Sequence, residues 1–222
     1  MLKQYLASSI GKKQIVSITG LALVLFLIAH LAGNFLIFSG PESYNAYSES
    51  LKNLGPLLWI ARIGLIVMFF LHFPLAIILA KQNKKARTLE YDQKLHPDTR
   101  SLSTRFMPIS GAILLLYIVS HLLDFTFTHP DTSNALVNGQ NLGLYGLVFN
   151  TFLSPISSLW YIIAMAAVGF HLAHAIQSVF QTFGFYHRVY SPVVKQVSVG
   201  LGIAISLGFS SIPICVLFGI IS

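Results

Sequence analysis

The sequence predicts an all-α integral membrane bundle of five transmembrane helices, N-terminus cytoplasmic and C-terminus external, and three observations carry the fold class. Apolar runs fall at about 15–38, 57–80, 106–127, 156–182 and 193–221, each reaching the roughly 20 residues a helix needs to cross about 30 Å of hydrocarbon. Hydrophobic residues make up 55% of the chain and charged ones 9%, with a mean hydropathy of +0.71, which is membrane-protein composition. The runs also lack the alternation of barrel strands, and backbone amides in lipid must bond within their own segment, so helices are the spanning elements. Residues 1–222 read as one domain.

Taken in order, helix I follows Lys3, Lys12 and Lys13, as a signal peptide would. It is too long for one and no small-residue cleavage site follows it. Helix II holds Arg62 a turn and a half from its start and His72 farther along, where Pro74 predicts a kink. Helix III carries His121 and Asp124, and helix IV carries His171 and His174. Helix V contains the single Cys215, which has no second thiol to pair with and reads as packing or a lipid-facing residue.

Lysines and arginines cluster before helix I, in the second loop (Lys81, Lys84, Lys85, Arg87, Lys94, Arg100, Arg105) and in the fourth connection (Arg188, Lys195). The opposite side has only Lys52 outside the helices, so the positive-inside rule sets the orientation stated above. The net charge of +7 mostly reflects this asymmetry; anionic lipid or an acidic docking face are its secondary readings, and nucleic acid is not an expected partner.

Four of the five runs contain a histidine, and an ionisable residue inside a membrane is a functional-site hypothesis that needs a named partner. Counting from the cytoplasmic ends at 1.5 Å per residue puts His30 and His121 both about 22 Å deep. His72 comes out roughly 12 Å deep, His174 roughly 13 Å and His171 roughly 18 Å. A lone histidine in a spanning helix also serves as a helix-to-helix hydrogen bond. Pairs at two matched depths on four helices fit bis-histidine haem, whose axial ligands approach the iron from opposite faces. Gly20, Gly33, Gly64, Gly111, Gly169 and Ala173 would let a flat macrocycle approach, or serve ordinary small-residue helix packing.

The stretches SSIGKKQIVSITGLALVLFLIAHLAGN (Ser8 to Asn34), PESYNAYSESL (Pro41 to Leu51) and GFHLAHAIQSVFQTFG (Gly169 to Gly184) resemble the dihaem, single-chain cytochrome b anchor subunit of succinate:quinone oxidoreductases and quinol:fumarate reductases. The resemblance runs over nearly the whole chain. It implies two haems b, a bacterial cytoplasmic-membrane location, and flavoprotein and iron–sulfur subunits docked on the cytoplasmic face. It also implies menaquinone as the redox partner in the bilayer and pairing of such complexes into dimers. The chain would be the quinone-reactive subunit and would not itself hold the dicarboxylate site.

By position, the resemblance implies His30 and His121 as ligands of the distal haem iron, with His72 and His171 on the proximal one. Depth counting instead favours His174 as the partner of His72, and the motif, in which the ligand directly follows an aromatic, favours His171. Arg62 is expected either to pair with a distal propionate or to snorkel to the outer interface. Asn34, Asp124 and the loop residues Glu42, Tyr44 and Tyr47 form a candidate quinone cluster, since a quinone needs a hydrogen-bonding group at each carbonyl and a route for protons. Some fumarate reductases of the family carry a glutamate two residues before the helix IV ligand, where this chain has Gly169. Two alternatives stay open: a dihaem cytochrome b of another respiratory dehydrogenase, and a haem-free transporter with a histidine proton relay, for which discontinuous helices and inverted repeats would be expected.

Overall fold

The computed structural model describes residues 2–85, 102–130 and 133–221. In chain order the elements are α1 (Leu2–Ala7), α2 (Ser9–Asn34), α3 (Pro41–Lys52), α4 (Pro56–Lys85), α5 (Leu102–Leu122), β1 (Leu136–Val137), β2 (Gln140–Asn141), α6 (Gly143–Leu153), α7 (Pro155–Thr182) and α8 (Tyr190–Leu217). A 3₁₀ turn, Phe35–Ser39, extends α2, and a π turn, Leu123–Phe127, extends α5. Helices α2, α4, α5, α7 and α8 are each long and apolar enough to span a membrane, so the protein is an all-α, multi-pass membrane bundle. Exposed Ile60, Ile63, Val67 and Phe70 run down one face of α4, an apolar stripe at helical spacing that suits lipid and not water. The second loop, with Arg87, Lys94, His96 and Arg100, lies outside the described residues.

Helix boundaries depart from the apolar runs for local reasons. Helix α2 begins at Ser9, before its run, because the Ser8 hydroxyl caps it by accepting from the Gly11 amide at 3.1 Å. Lys12 and Lys13 are good helix formers, so the helix outlasts the hydrocarbon stretch. Helix α8 stops at Leu217, short of the expected 221. There Gly219 turns left-handed (φ 66°) and the Ile220 and Gly219 amides return to the Cys215 and Val216 carbonyls, a Schellman stop. Pro74 does not interrupt α4, which runs unbroken from Pro56 to Lys85.

The connections hold structure that hydropathy cannot reveal. Helix α3 carries Pro at its first position and Glu42 in its first turn, where a carboxylate complements the helix dipole. The strands β1 and β2 form a two-residue hairpin whose Asn138 and Gly139 both take positive φ, the type I′ signature. Asn45 ties α3 to α6, its amide donating to the Leu142 carbonyl at 2.8 Å and its oxygen accepting from the Tyr145 amide at 3.1 Å.

Helix α7 is the centre of the bundle, packing along α8 and also against α5 and α2, while α4 packs on α2. Its buried face, Ala164, Met165, Val168, Leu172 and Ile176, meets Val24 of α2 and Ile205 of α8. Gly169 and Gly202 bring α7 and α8 together: a Cβ built on Gly202 would stand 2.6 Å from the Gly169 carbonyl oxygen. Replacing Gly202 by Val forces the backbones apart and is expected to cost about 1–3 kcal/mol. Thermal unfolding in detergent checks this, with Gly200→Ala, a site with open space around it, expected to leave the midpoint unlowered.

Candidate functional site

Helices α2, α4, α5 and α7 each carry a histidine, and the four rings meet in two pairs. The close helix neighbours are α2 with α4, α2 with α7 and α5 with α7. The histidines join the other pairs: His30 of α2 faces His121 of α5 with ring centroids 5.8 Å apart at 86°, and His72 of α4 faces His171 of α7 at 6.5 Å and 60°. Both pairs lie between helices that do not pack closely on each other. We call the level near the N-termini of α2 and α5 lower, and that near their C-termini upper.

In the lower pair both Nδ1 atoms are held. His72 Nδ1 lies 3.1 Å from the Val16 carbonyl oxygen and 3.2 Å from Thr19 Oγ1. A carbonyl only accepts, so Nδ1 carries the proton and Nε2 keeps the lone pair. His171 Nδ1 lies 3.2 Å from Ser110 Oγ, whose single proton goes to the Met107 carbonyl at 3.0 Å, so the serine oxygen accepts from Nδ1. Gly20 makes room for the His72 ring, because a Cβ there would come within 3.0 Å of its Cε1. Gly111 lies beside His171, where a Cβ would make ordinary contact with its Cε1 at 3.8 Å.

The upper pair opens into a cavity of about 240 Å³ lined by, among others, His30, His121, Asn34, Tyr44, Tyr47 and Tyr161. Helix α3 closes it. The Tyr44 hydroxyl donates to Asn34 Oδ1 at 3.2 Å, and Asn34 Nδ2 donates to the His30 carbonyl at 2.8 Å. Burial, with Tyr47 beside it, pushes the Tyr44 hydroxyl up to about 12, so it is a neutral donor at ordinary pH. The Tyr47 ring lies against Gly33, where any Cβ would strike it at 2.6 Å. On the far wall the Tyr161 hydroxyl donates to Asp124 Oδ2 at 2.7 Å, and the Trp160 indole donates to Ser120 Oγ at 2.9 Å, beside His121.

Arg62, Glu42 and Gly169 do not line the cavity. Arg62 is exposed, with its guanidinium carbon 5.1 Å from the centre of the Trp59 ring, and is absent from the cavity wall, so its interaction is cation–π stacking on its own helix. Glu42 is exposed in the first turn of α3 and does not line the cavity, because its helical position turns it away from buried Tyr44. Gly169 faces Ser206 and the Gly202 carbonyl on α8, which makes it a helix-packing residue and not a cradle for a macrocycle. Asp124 is half-buried and reaches the cavity through Tyr161. His174, one turn beyond His171, is half-buried; the ring facing His72 is that of His171. His129 and His187 are exposed.

An iron porphyrin held between two histidines would set a spacing for their rings. An imidazole nitrogen binds a first-row metal at about 2 Å, and the ring centre lies roughly 1 Å behind it, so two axial ligands stand about 6 Å apart centre to centre. The observed 5.8 and 6.5 Å lie near that value, which ordinary ring contacts of the chain such as His30–Phe209 at 5.8 Å also share. His121 Nδ1 is buried with no hydrogen-bond partner, an orphan that a group inside the cavity would answer.

Thr19 and Ser110 are the residues that reading the histidines alone passes over. Their signal is a repeat: Thr19-Gly20 precedes His30, and Ser110-Gly111 precedes His121, with the hydroxyl residue eleven positions before the histidine in both helices. Eleven residues make about three turns and rise about 16 Å, so hydroxyl and imidazole share one stripe at two levels. Comparisons with protein-family profiles, curated proteins and solved structures give no match for this chain. Substituting Tyr161 by Phe removes the Asp124 partner and is expected to lower stability by about 1 kcal/mol, since a hydrogen bond to a charged group is strong but this carboxylate is half in solvent. Thermal unfolding of the purified chain measures it.

Proposed function

We propose that the chain is the dihaem cytochrome b anchor of a respiratory succinate:quinone oxidoreductase or quinol:fumarate reductase, passing electrons between a membrane quinone, menaquinone by resemblance, and flavoprotein and iron–sulfur subunits. The reading puts it in a bacterial cytoplasmic membrane with the lower level toward the cytoplasmic partners. The observation that supports it most is the pair of histidine contacts at two levels on four different helices, whose imidazoles would hold the two haem irons. Bound haem b would supply a reversible one-electron iron couple at each level.

The chain's own residues do the holding and the proton handling. His72 and His171 offer Nε2 at the lower level, their Nδ1 atoms being engaged, and His30 and His121 offer nitrogen at the upper level. A quinone head just outside the upper haem, on the α3 side, would meet the hydroxyls of Tyr44 and Tyr47 and the Asn34 amide. Tyr161 and Asp124 link the upper cavity wall to a half-buried carboxylate, a place for a proton to leave or enter as the quinone changes charge. Levels about 16 Å apart span roughly half the hydrocarbon, so an electron passing between them works against about 1 kcal/mol per 100 mV unless a proton accompanies it.

Single replacements of His30, His72, His121 and His171 by Ala are each expected to leave one haem per chain in place of two, with His174→Ala retaining both. Pyridine haemochrome analysis of the purified complexes counts them. A colourless wild-type complex would remove the respiratory reading altogether, and loss of a haem from His174→Ala with none lost from His171→Ala would reassign the lower ligand.

A further inference from the structure

We propose that Thr19 and Ser110 are positioning residues for the lower histidines, each holding the facing imidazole by Nδ1 from across a helix boundary so that Nε2 is left as the lone pair available to iron. The inference rests on the dihaem reading for its metal, but its geometric core, the tautomer, does not. Four observations converge on it. Both hydroxyls bond to Nδ1 of a histidine on another helix, at 3.2 Å in each case. Both are buried, Thr19 at 3% and Ser110 at 3% exposure, in a stretch where a hydroxyl without partners is costly. Each keeps its own proton engaged within its helix, Thr19 on the Ile15 carbonyl at 2.7 Å and Ser110 on the Met107 carbonyl at 3.0 Å, which turns the oxygen into an acceptor. Each is followed by a glycine beside the same ring, Gly20 opening space for His72 and Gly111 standing in ordinary contact range of His171.

The consequence is a division of labour between helices. Helices α2 and α5 supply imidazoles at the upper level and, three turns earlier on the same stripe, the hydroxyls that orient the imidazoles of α4 and α7 at the lower level. An Nδ1–H bonded to an acceptor makes the imidazole more basic, which favours ferric over ferrous iron and fixes the ring plane. The grip differs between the two rings. His72 also has the Val16 carbonyl at 3.1 Å, whereas Ser110 is the acceptor that His171 depends on. Removing the serine hydroxyl therefore acts more strongly than removing that of the threonine.

Redox titration of the complete complex tests this, with the lower haem's signal identified from the His72 and His171 variants. Ser110→Ala is expected to raise the lower haem's midpoint by an amount equivalent to a several-fold to tenfold change in the ferric to ferrous ratio, up to about 59 mV, and to alter its electron paramagnetic resonance anisotropy. Thr19→Val should shift it in the same direction by less, and the upper haem should not move. Ser110→Thr keeps the hydroxyl and should restore the value. Ser198→Ala removes an equally buried hydroxyl, bonded to the Val194 carbonyl on α8, and should change neither haem. Both haems retained at unchanged midpoints in Ser110→Ala would overturn the proposal, as would loss of the lower haem from Ser110→Ala and Ser110→Thr alike. Should the wild-type complex prove haem-free, the function proposed above fails first, and nitrogen-15 spectra of the imidazoles in the purified chain still decide this one. Nδ1–H tautomers at His72 and His171 support it and Nε2–H tautomers overturn it.

Discussion

An imidazole inside a lipid-embedded bundle has to be answered by something polar, and that constraint organises this protein. Its four histidines face each other between helices that do not otherwise pack closely, α2 with α5 and α4 with α7. The lower rings are held on Nδ1 by the helices that pack against their own, His72 by α2 and His171 by α5, as helix-to-helix hydrogen bonds. At the upper level His121 Nδ1 is buried with no hydrogen-bond partner.

The same constraint accounts for the unequal packing of the bundle. Helices α7 and α8 approach through glycines and carry the apolar core, while α4 leans on α2 and turns a wide apolar face to lipid. A bundle with a cavity at its upper level does not draw its cohesion from the centre of that cavity. It draws it from one side, along α7 and α8, and from the upper end, where α3 and α6 are bonded together through Asn45. The placing of the histidines is also two-fold in character. The sequence of hydroxyl, glycine and histidine on α2 returns on α5, and the lower histidines come from the helices that follow each of them, α4 and α7.

Hydropathy makes the spanning helices plain because lipid selects for apolar side chains along the whole segment, whatever the neighbours. It could not locate α3, α6 or the Asn138–Gly139 hairpin as structure over the cavity, since these are short and their burial depends on residues about a hundred positions away, as in the bonds from Asn45 to Leu142 and Tyr145. Counting residues favoured His174 opposite His72, whereas the ring that stands 6.5 Å from His72 is that of His171.

Arg62, Glu42 and Gly169 teach the same point from the other direction. Each has the chemistry for the site and sits at the right height, but height along a helix says nothing about which way a residue faces until its neighbours are known. Arg62 turned to Trp59, Glu42 to solvent and Gly169 to α8. The one-dimensional chain determined that five helices cross a membrane and that histidines recur within four of them, because length, polarity and periodicity are local properties. Only the tertiary structure decided which imidazoles confront each other, which hydroxyls hold them and which wall the aromatic residues of α3 close, because those are properties of rotation and packing between segments far apart in the chain.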